Sequence, residues 1–226
     1  MNKPVVFTNV ANSWSALSKW TDDYILRVIG DHKVDVNMCT FGKMSDITKM
    51  SFAEYYRNSL AQWPDIKPET LNQNLPYLRN FDCFGEFPAF GDDVRSQELF
   101  KPDIHNMIVR GAFIGAKNTA THFHKDTGDN VVAVIRGKKL VVLVPPAEES
   151  NLTRDPLNIS VGENDSGAPL ESHPSLARVN NAFVTTLDVG DALFIPIGWN
   201  HYVKNLDFTV SVSCWGKDIN PDKQHY

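Results

Sequence analysis

The chain has 226 residues and a net charge of −5, from 22 Lys and Arg against 27 Asp and Glu. That length supports one well-buried core and is short for two domains. The acidic balance argues against a broad basic face that grips a nucleic-acid backbone and leaves RNA only a local groove.

The N-terminal stretch MNKPVVFTNVANSWSALSKW holds a short strand signal at Val5, Val6 and Phe7, and lacks the apolar core and cleavage site of a signal peptide. No run approaches the roughly 20 apolar residues that span a bilayer, so a cytoplasmic protein without a membrane partner is expected. Apolar residues at helical spacing predict one helix from Trp14 to Ile29, stopped by Gly30. Lys33 to Asn37 alternates as an edge strand would. Ser51 to Trp63 opens with a capping Ser and carries Glu54 three residues later, which predicts an amphipathic helix.

From about Met107 the pattern turns to short β-branched and aromatic runs. They fall at 107–109, 130–136, 139–144, 183–187, 192–195 and 208–215, divided by Gly137, Pro145, Gly190, Pro196 and Gly198. This predicts a mainly β domain, a jelly roll, preceded by an α/β part. One domain over 1–226 is expected, with the α/β elaboration at 1–106 and the jelly-roll core at 107–216. The polar insertion at 147–182 covers a functional opening or is a tolerated surface loop. Cys39, Cys83 and Cys214 form no CxxC pair, so neither a zinc cluster nor a disulfide framework is indicated, and a reduced intracellular protein fits.

The chemistry concentrates in GAKNTATHFHKDTGDNVVAVIRGKKLVVLVPP. His124 and Asp126 lie two apart, and on a strand such residues share a face and can meet one ion. His201 follows the turn Pro196-Ile197-Gly198-Trp199 and is the candidate third ligand. Two imidazoles and one carboxylate occupy one face of an octahedron and leave three positions open, which suits a non-haem Fe(II) oxygenase better than a closed zinc site. His122 and His124 also lie two apart, but the His124/Asp126 register supplies the carboxylate. His105, His173 and His225 read as surface residues, Trp199 as a core residue packing the turn, and Lys138 as an exposed lysine.

The stretches THFHKDTGDNVVAVIRGKKLVVLVPP and GDALFIPIGWNHYVKNLDFTVSVSCW resemble the JmjC-domain, cupin-8-like Fe(II)- and 2-oxoglutarate-dependent oxygenases. The resemblance implies a double-stranded β-helix, Fe(II) on His124, Asp126 and His201, and 2-oxoglutarate with O2 as co-substrates. It implies that Thr121 and Lys139 hold 2-oxoglutarate, with Asn130 and Tyr77 beside it. Ser213 stands where relatives often carry Asn near the iron. Because the chain ends soon after Trp215, the C-terminal dimer helices of several relatives are not expected, and the oligomeric state stays open. The implied reaction is hydroxylation of a protein side chain or a small molecule, with RNA a less favoured substrate. The alternatives are a cupin-like metal- or ligand-binding module without oxygenase activity, and zinc-dependent hydrolysis at the same ligands.

Overall fold

A computed structural model describes residues 3–37, 47–61, 76–100, 105–152 and 176–219. Cys39, His173 and His225 lie outside them, as do the side chains of His105 and His122.

Two antiparallel sheets face each other. In chain order the strands are β1 (Val5–Phe7), β2 (Lys33–Asn37), β3 (Ile47–Ser51), β4 (Tyr77–Phe81), β5 (His105–Gly115) and β6 (Ala120–His124), followed by β7 (Asp129–Arg136), β8 (Lys139–Val144), β9 (Phe183–Leu187), β10 (Ala192–Ile195), β11 (Asn200–Asn205) and β12 (Thr209–Asp218). The larger sheet runs β1-β10-β7-β12-β5-β4-β2-β3, and the smaller β6-β11-β8-β9. This is the jelly roll expected, with β2, β3 and β4 of the first hundred residues extending its larger sheet. The edge reading of 33–37 is corrected. β3 takes the edge and β2 lies inside it, with Val34 and Val36 on the face that packs into the core.

The predicted helix over 14–29 is two helices, α1 (Ala16–Lys19) and α2 (Asp22–Ile29). Trp20 leaves helical geometry at ψ 57, and Thr21 restarts the helix, its side chain capping the Tyr24 amide. The break lets donors from both helices meet one acceptor, Asp93, at the end of the short helix Pro88–Asp93. Asp93 accepts from Ser15 Oγ and Lys19 Nζ at 2.8 Å each, Trp20 Nε1 at 3.0 Å and Tyr24 Oη at 3.3 Å. Helix α3 (Phe52–Ala61) is capped as expected, Ser51 Oγ accepting from the Glu54 amide at 3.2 Å.

Period-two alternation sorts β7 and β12 between two environments. Val131, Ala133, Ile135, Val210, Val212 and Cys214 pack under the N-terminal helices with Trp14, Trp20, Ile25 and Phe52. Val132 and Val134 face the other way, into the barrel with Val141, Leu143 and Leu193. Each fully buried Val, Leu, Ile or Phe side chain among them contributes about 1.5 to 3 kcal/mol. The described ends of the insertion, at Leu152, Leu176 and Val179, pack on the outer face of the smaller sheet against Phe123, Val142 and Tyr202.

Candidate metal centre and its pocket

β6 and β11 run antiparallel with His124 opposite His201, so the two imidazoles are cross-strand partners 4.1 Å apart, centroid to centroid. Asp126 is not on the strand. β6 ends at His124, and the carboxylate sits on the following turn, so the shared-face reading of His124 and Asp126 is corrected. The turn is held by Asn130, whose Nδ2 donates to Asp126 Oδ2 at 2.7 Å. Asp126 thereby lies 3.7 Å from His124 Nε2 and 3.5 Å from His201 Nε2. One ligand atom from each of the three residues falls within 4.8 Å of the others, a grouping that fits a single ion.

His201 is fixed from behind. Gly198 adopts φ 86, a left-handed geometry that glycine takes without penalty, and the turn returns the Trp199 amide to the Pro196 carbonyl at 3.2 Å. The Ile197 amide donates to Asp129 Oδ1 at 2.7 Å, tying the turn to β7. His201 Nδ1 donates to the Trp199 carbonyl at 3.1 Å, which sets the tautomer and leaves Nε2 bare toward Asp126 and His124. Burial and the neighbouring His124 push the His201 imidazole down to about 4, against the pull of Asp126. It is therefore neutral at physiological pH, the form that binds a metal. The donor set, two imidazoles and a carboxylate with their orientation fixed by a backbone carbonyl and an amide, fits Fe(II).

His124 and His201 stand at one side of a pocket of about 360 Å³, measured with its opening. The four residues the resemblance associated with 2-oxoglutarate, Tyr77, Thr121, Asn130 and Lys139, line it together with Ser213. Thr121 and His124 are three apart, and on a regular strand they would face opposite ways. Three steps along β6, from Thr121 to His124, oppose two steps of β11, from Val203 to His201, and this bulge turns both side chains inward. Lys139 is 1% exposed and lies in register with Asn205 of β11. Tyr77 rests against Gly115, where an added Cβ would meet the tyrosine ring at 2.5 Å, so only glycine admits it. Tyr55 of α3 joins the two strands there, donating to the Ile114 carbonyl at 2.5 Å and accepting from the Leu78 amide at 3.0 Å.

Two other expectations are met. Lys138 is half-exposed and pairs with Asp188 at 2.8 Å, and Trp199 is buried in the barrel core against Phe183. The sequence reading missed Asn205, which touches Lys139, and the pocket walls Phe113, Ser211 and Trp215. Ser211, Ser213 and Trp215 were legible as the second face of the alternating run FTVSVSCW. Asn205 carried no signal, because its partner is 66 residues away.

Residues 1–220 match the family model of a cupin-like domain. The chain is 49% identical over 227 residues to JmjC domain-containing protein A of Dictyostelium discoideum, covering 96% of this chain and 89% of that protein. It is 28% identical over 221 residues to lysine-specific demethylase 8 of Xenopus tropicalis, across 94% of this chain and 48% of that protein. It is 25% identical over 233 residues to human tRNA wybutosine-synthesizing protein 5, across 96% of this chain and 72% of that protein. It thus spans most of the first relative and about half of the demethylase. No helix among the described residues is long and apolar enough to cross a membrane.

Proposed function

The chain belongs to the cupin-like, JmjC-type domain family, with a His-Asp-His metal-binding triad, and on that premise we propose that it is an Fe(II)- and 2-oxoglutarate-dependent hydroxylase. The observation that carries this reading is one pocket lined both by the triad histidines His124 and His201 and by a buried lysine without a carboxylate partner among the described residues. A buried ammonium is costly unless an anion meets it, so the pocket is suited to a molecule with a carboxylate at the Lys139 end. A 2-oxo acid with a second, distal carboxylate supplies that group and leaves its other end for the metal.

The residues then take distinct roles. His124, Asp126 and His201 would hold Fe(II), with Asn130 fixing the Asp126 carboxylate and the Trp199 carbonyl fixing the His201 ring. Lys139 pairs with the distal carboxylate, and Thr121 and Tyr77 present hydroxyls beside it. Ser213 and Asn130 line the space between, where the buried Asn130 Oδ1 has no partner among the described residues. Val132, Val203 and Phe113 keep water from the reacting centre. Bound Fe(II) supplies the redox chemistry by which O2 converts 2-oxoglutarate to succinate and CO2 and hydroxylates a C–H bond.

The substrate is proposed to be a protein side chain or a small molecule. Relatives are named for lysine demethylation and for tRNA wybutosine synthesis, and the acidic charge of this chain favours the protein side. Purified protein supplied with Fe(II), 2-oxoglutarate and O2 is expected to form succinate, slowly without a primary substrate. His201→Ala and Asp126→Ala are each expected to lower that turnover by about 100-fold or more, since losing even a hydrogen-bond partner of a metal ligand costs about 10- to 100-fold. Unchanged succinate formation in both variants would return the chain to the role of a binding module.

A further inference from the structure

Lys139 is buried, and its amine has two hydrogen-bond partners, Asn205 Oδ1 at 2.7 Å and the Tyr77 hydroxyl at 3.3 Å. An ammonium carries three N–H donors, so one is left over. Among the described residues the elements around it supply no counter-charge: β4 brings the Tyr77 hydroxyl, β11 the Asn205 amide and β6 the Thr121 hydroxyl.

The orientation of the Asn205 amide follows from its neighbours. The Thr119 hydroxyl donates its single proton to the Ala116 carbonyl at 2.6 Å. Toward Asn205 it can only accept, so the amide NH2 must face Thr119, at 2.8 Å, and the carbonyl oxygen must face Lys139. The backbone holds this arrangement too. The Asn205 amide donates to the Thr119 carbonyl at 2.9 Å, and its carbonyl accepts from the Asn118 amide at 2.8 Å. Asn205 and Thr119 are fully buried.

We propose that Asn205 is the positioning residue of the co-substrate pocket: locked by Thr119, it holds one N–H of Lys139 and turns the remaining donor toward an incoming carboxylate. The assignment rests on the 2-oxoglutarate reading for its ligand but on this chain's own hydrogen bonds for its geometry. Asn205 is neutral for a reason. A carboxylate at 205 would satisfy Lys139 from within and compete with the ligand.

The test compares Asn205→Ala, Asn205→Asp and Thr119→Val in the full chain, measuring 2-oxoglutarate affinity calorimetrically with Mn(II) in the metal site. Losing one hydrogen bond to a charged group predicts about tenfold weaker binding for Asn205→Ala, with kcat moving less than KM. Asn205→Asp is expected to weaken binding about 100-fold, because the internal ion pair must be broken. Thr119→Val, which frees the amide to turn over, is expected to cost about threefold. A residue with a merely structural role would reverse the first two, since the isosteric Asp disturbs packing less than Ala. An Asp variant that binds as tightly as the wild type, or more tightly than Asn205→Ala, overturns the proposal.

An NMR titration of the Lys139 side chain, assigned by its loss in Lys139→Met, gives a readout without 2-oxoglutarate. Asn205→Asp should raise the titration midpoint strongly, and Asn205→Ala should not. If the wild type binds no 2-oxoglutarate while this signal moves as expected, the oxygenase reading falls and the positioning role stands. If the signal does not move, the positioning role falls regardless of binding.

Discussion

Asp93 and Lys139 are both buried and both ionisable, yet the chain treats them in opposite ways. Asp93 is surrounded by its own chain, with four donors from the N-cap of α1, α1 itself, α2 and the turn between them. Burial alone would raise its pKa, but the hydrogen bonds from Lys19, Ser15 and Trp20 outweigh this and hold it below 3.8. Lys139 receives two neutral oxygens and no carboxylate, and burial pushes its amine from 10.5 down to about 7. A buried charge finished by its own fold serves stability, whereas one left unfinished marks where a ligand completes the structure.

The contrast is sharpest at Lys139. Replacing it with Met is expected to weaken 2-oxoglutarate by about 3 to 4 kcal/mol, since the ligand carboxylate would be left without its charged partner. Stability, read by urea unfolding, should change by less than about 1 kcal/mol, because a strained ammonium is exchanged for an apolar chain of similar shape. A large loss of stability would mean that Lys139 belongs with Asp93.

Asp93→Ala should show the converse, a loss of about 3 kcal/mol with the buried Trp20 Nε1 orphaned, and an unchanged affinity for 2-oxoglutarate. Loss of binding without loss of stability would break the comparison.

The pH dependence separates the two more finely. Both pKa values are lower in the folded chain, so in each case the unfolded state binds more protons and stability rises with pH, but in different windows. The Asp93 contribution is fully present above its unfolded value of 3.8 and is lost as pH falls through its lower folded value. The Lys139 penalty is fully present below about 7 and is relieved as pH rises toward 10.5. Wild type minus Lys139→Met should therefore gain stability between pH 7 and 10.5, and wild type minus Asp93→Asn should lose it only in acid.

The smallest effect is expected from the neighbouring lysine. Lys138 is half-exposed beside Asp188, and Lys138→Met should shift stability by less than about 0.5 kcal/mol and leave binding unchanged.

Much of this was legible in the residue order. The strands of the jelly roll announced themselves through β-branched runs and glycine turns, and β8, β9 and β10 fall at the residues expected. His124, Asp126, His201 and Lys139 were identifiable because local motifs surround them. Where expectation failed, a distant partner was responsible. The helix over 14–29 broke at Trp20 because Asp93, 73 residues later, recruits its indole. The strand at 33–37 became interior because β3 pairs outside it.

Alternation and turn chemistry are written into neighbouring residues, so the sequence by itself determined the sheet type, the turns and the identity of the metal ligands. Tertiary structure alone decided how these are aimed. A bulge brings Thr121 to the face of His124, a turn off the end of β6 carries Asp126 to both histidines, and a hydroxyl committed to Ala116 turns the Asn205 carbonyl toward Lys139. Register and hydrogen-bond direction depend on partners tens of residues apart, and no local pattern encodes them.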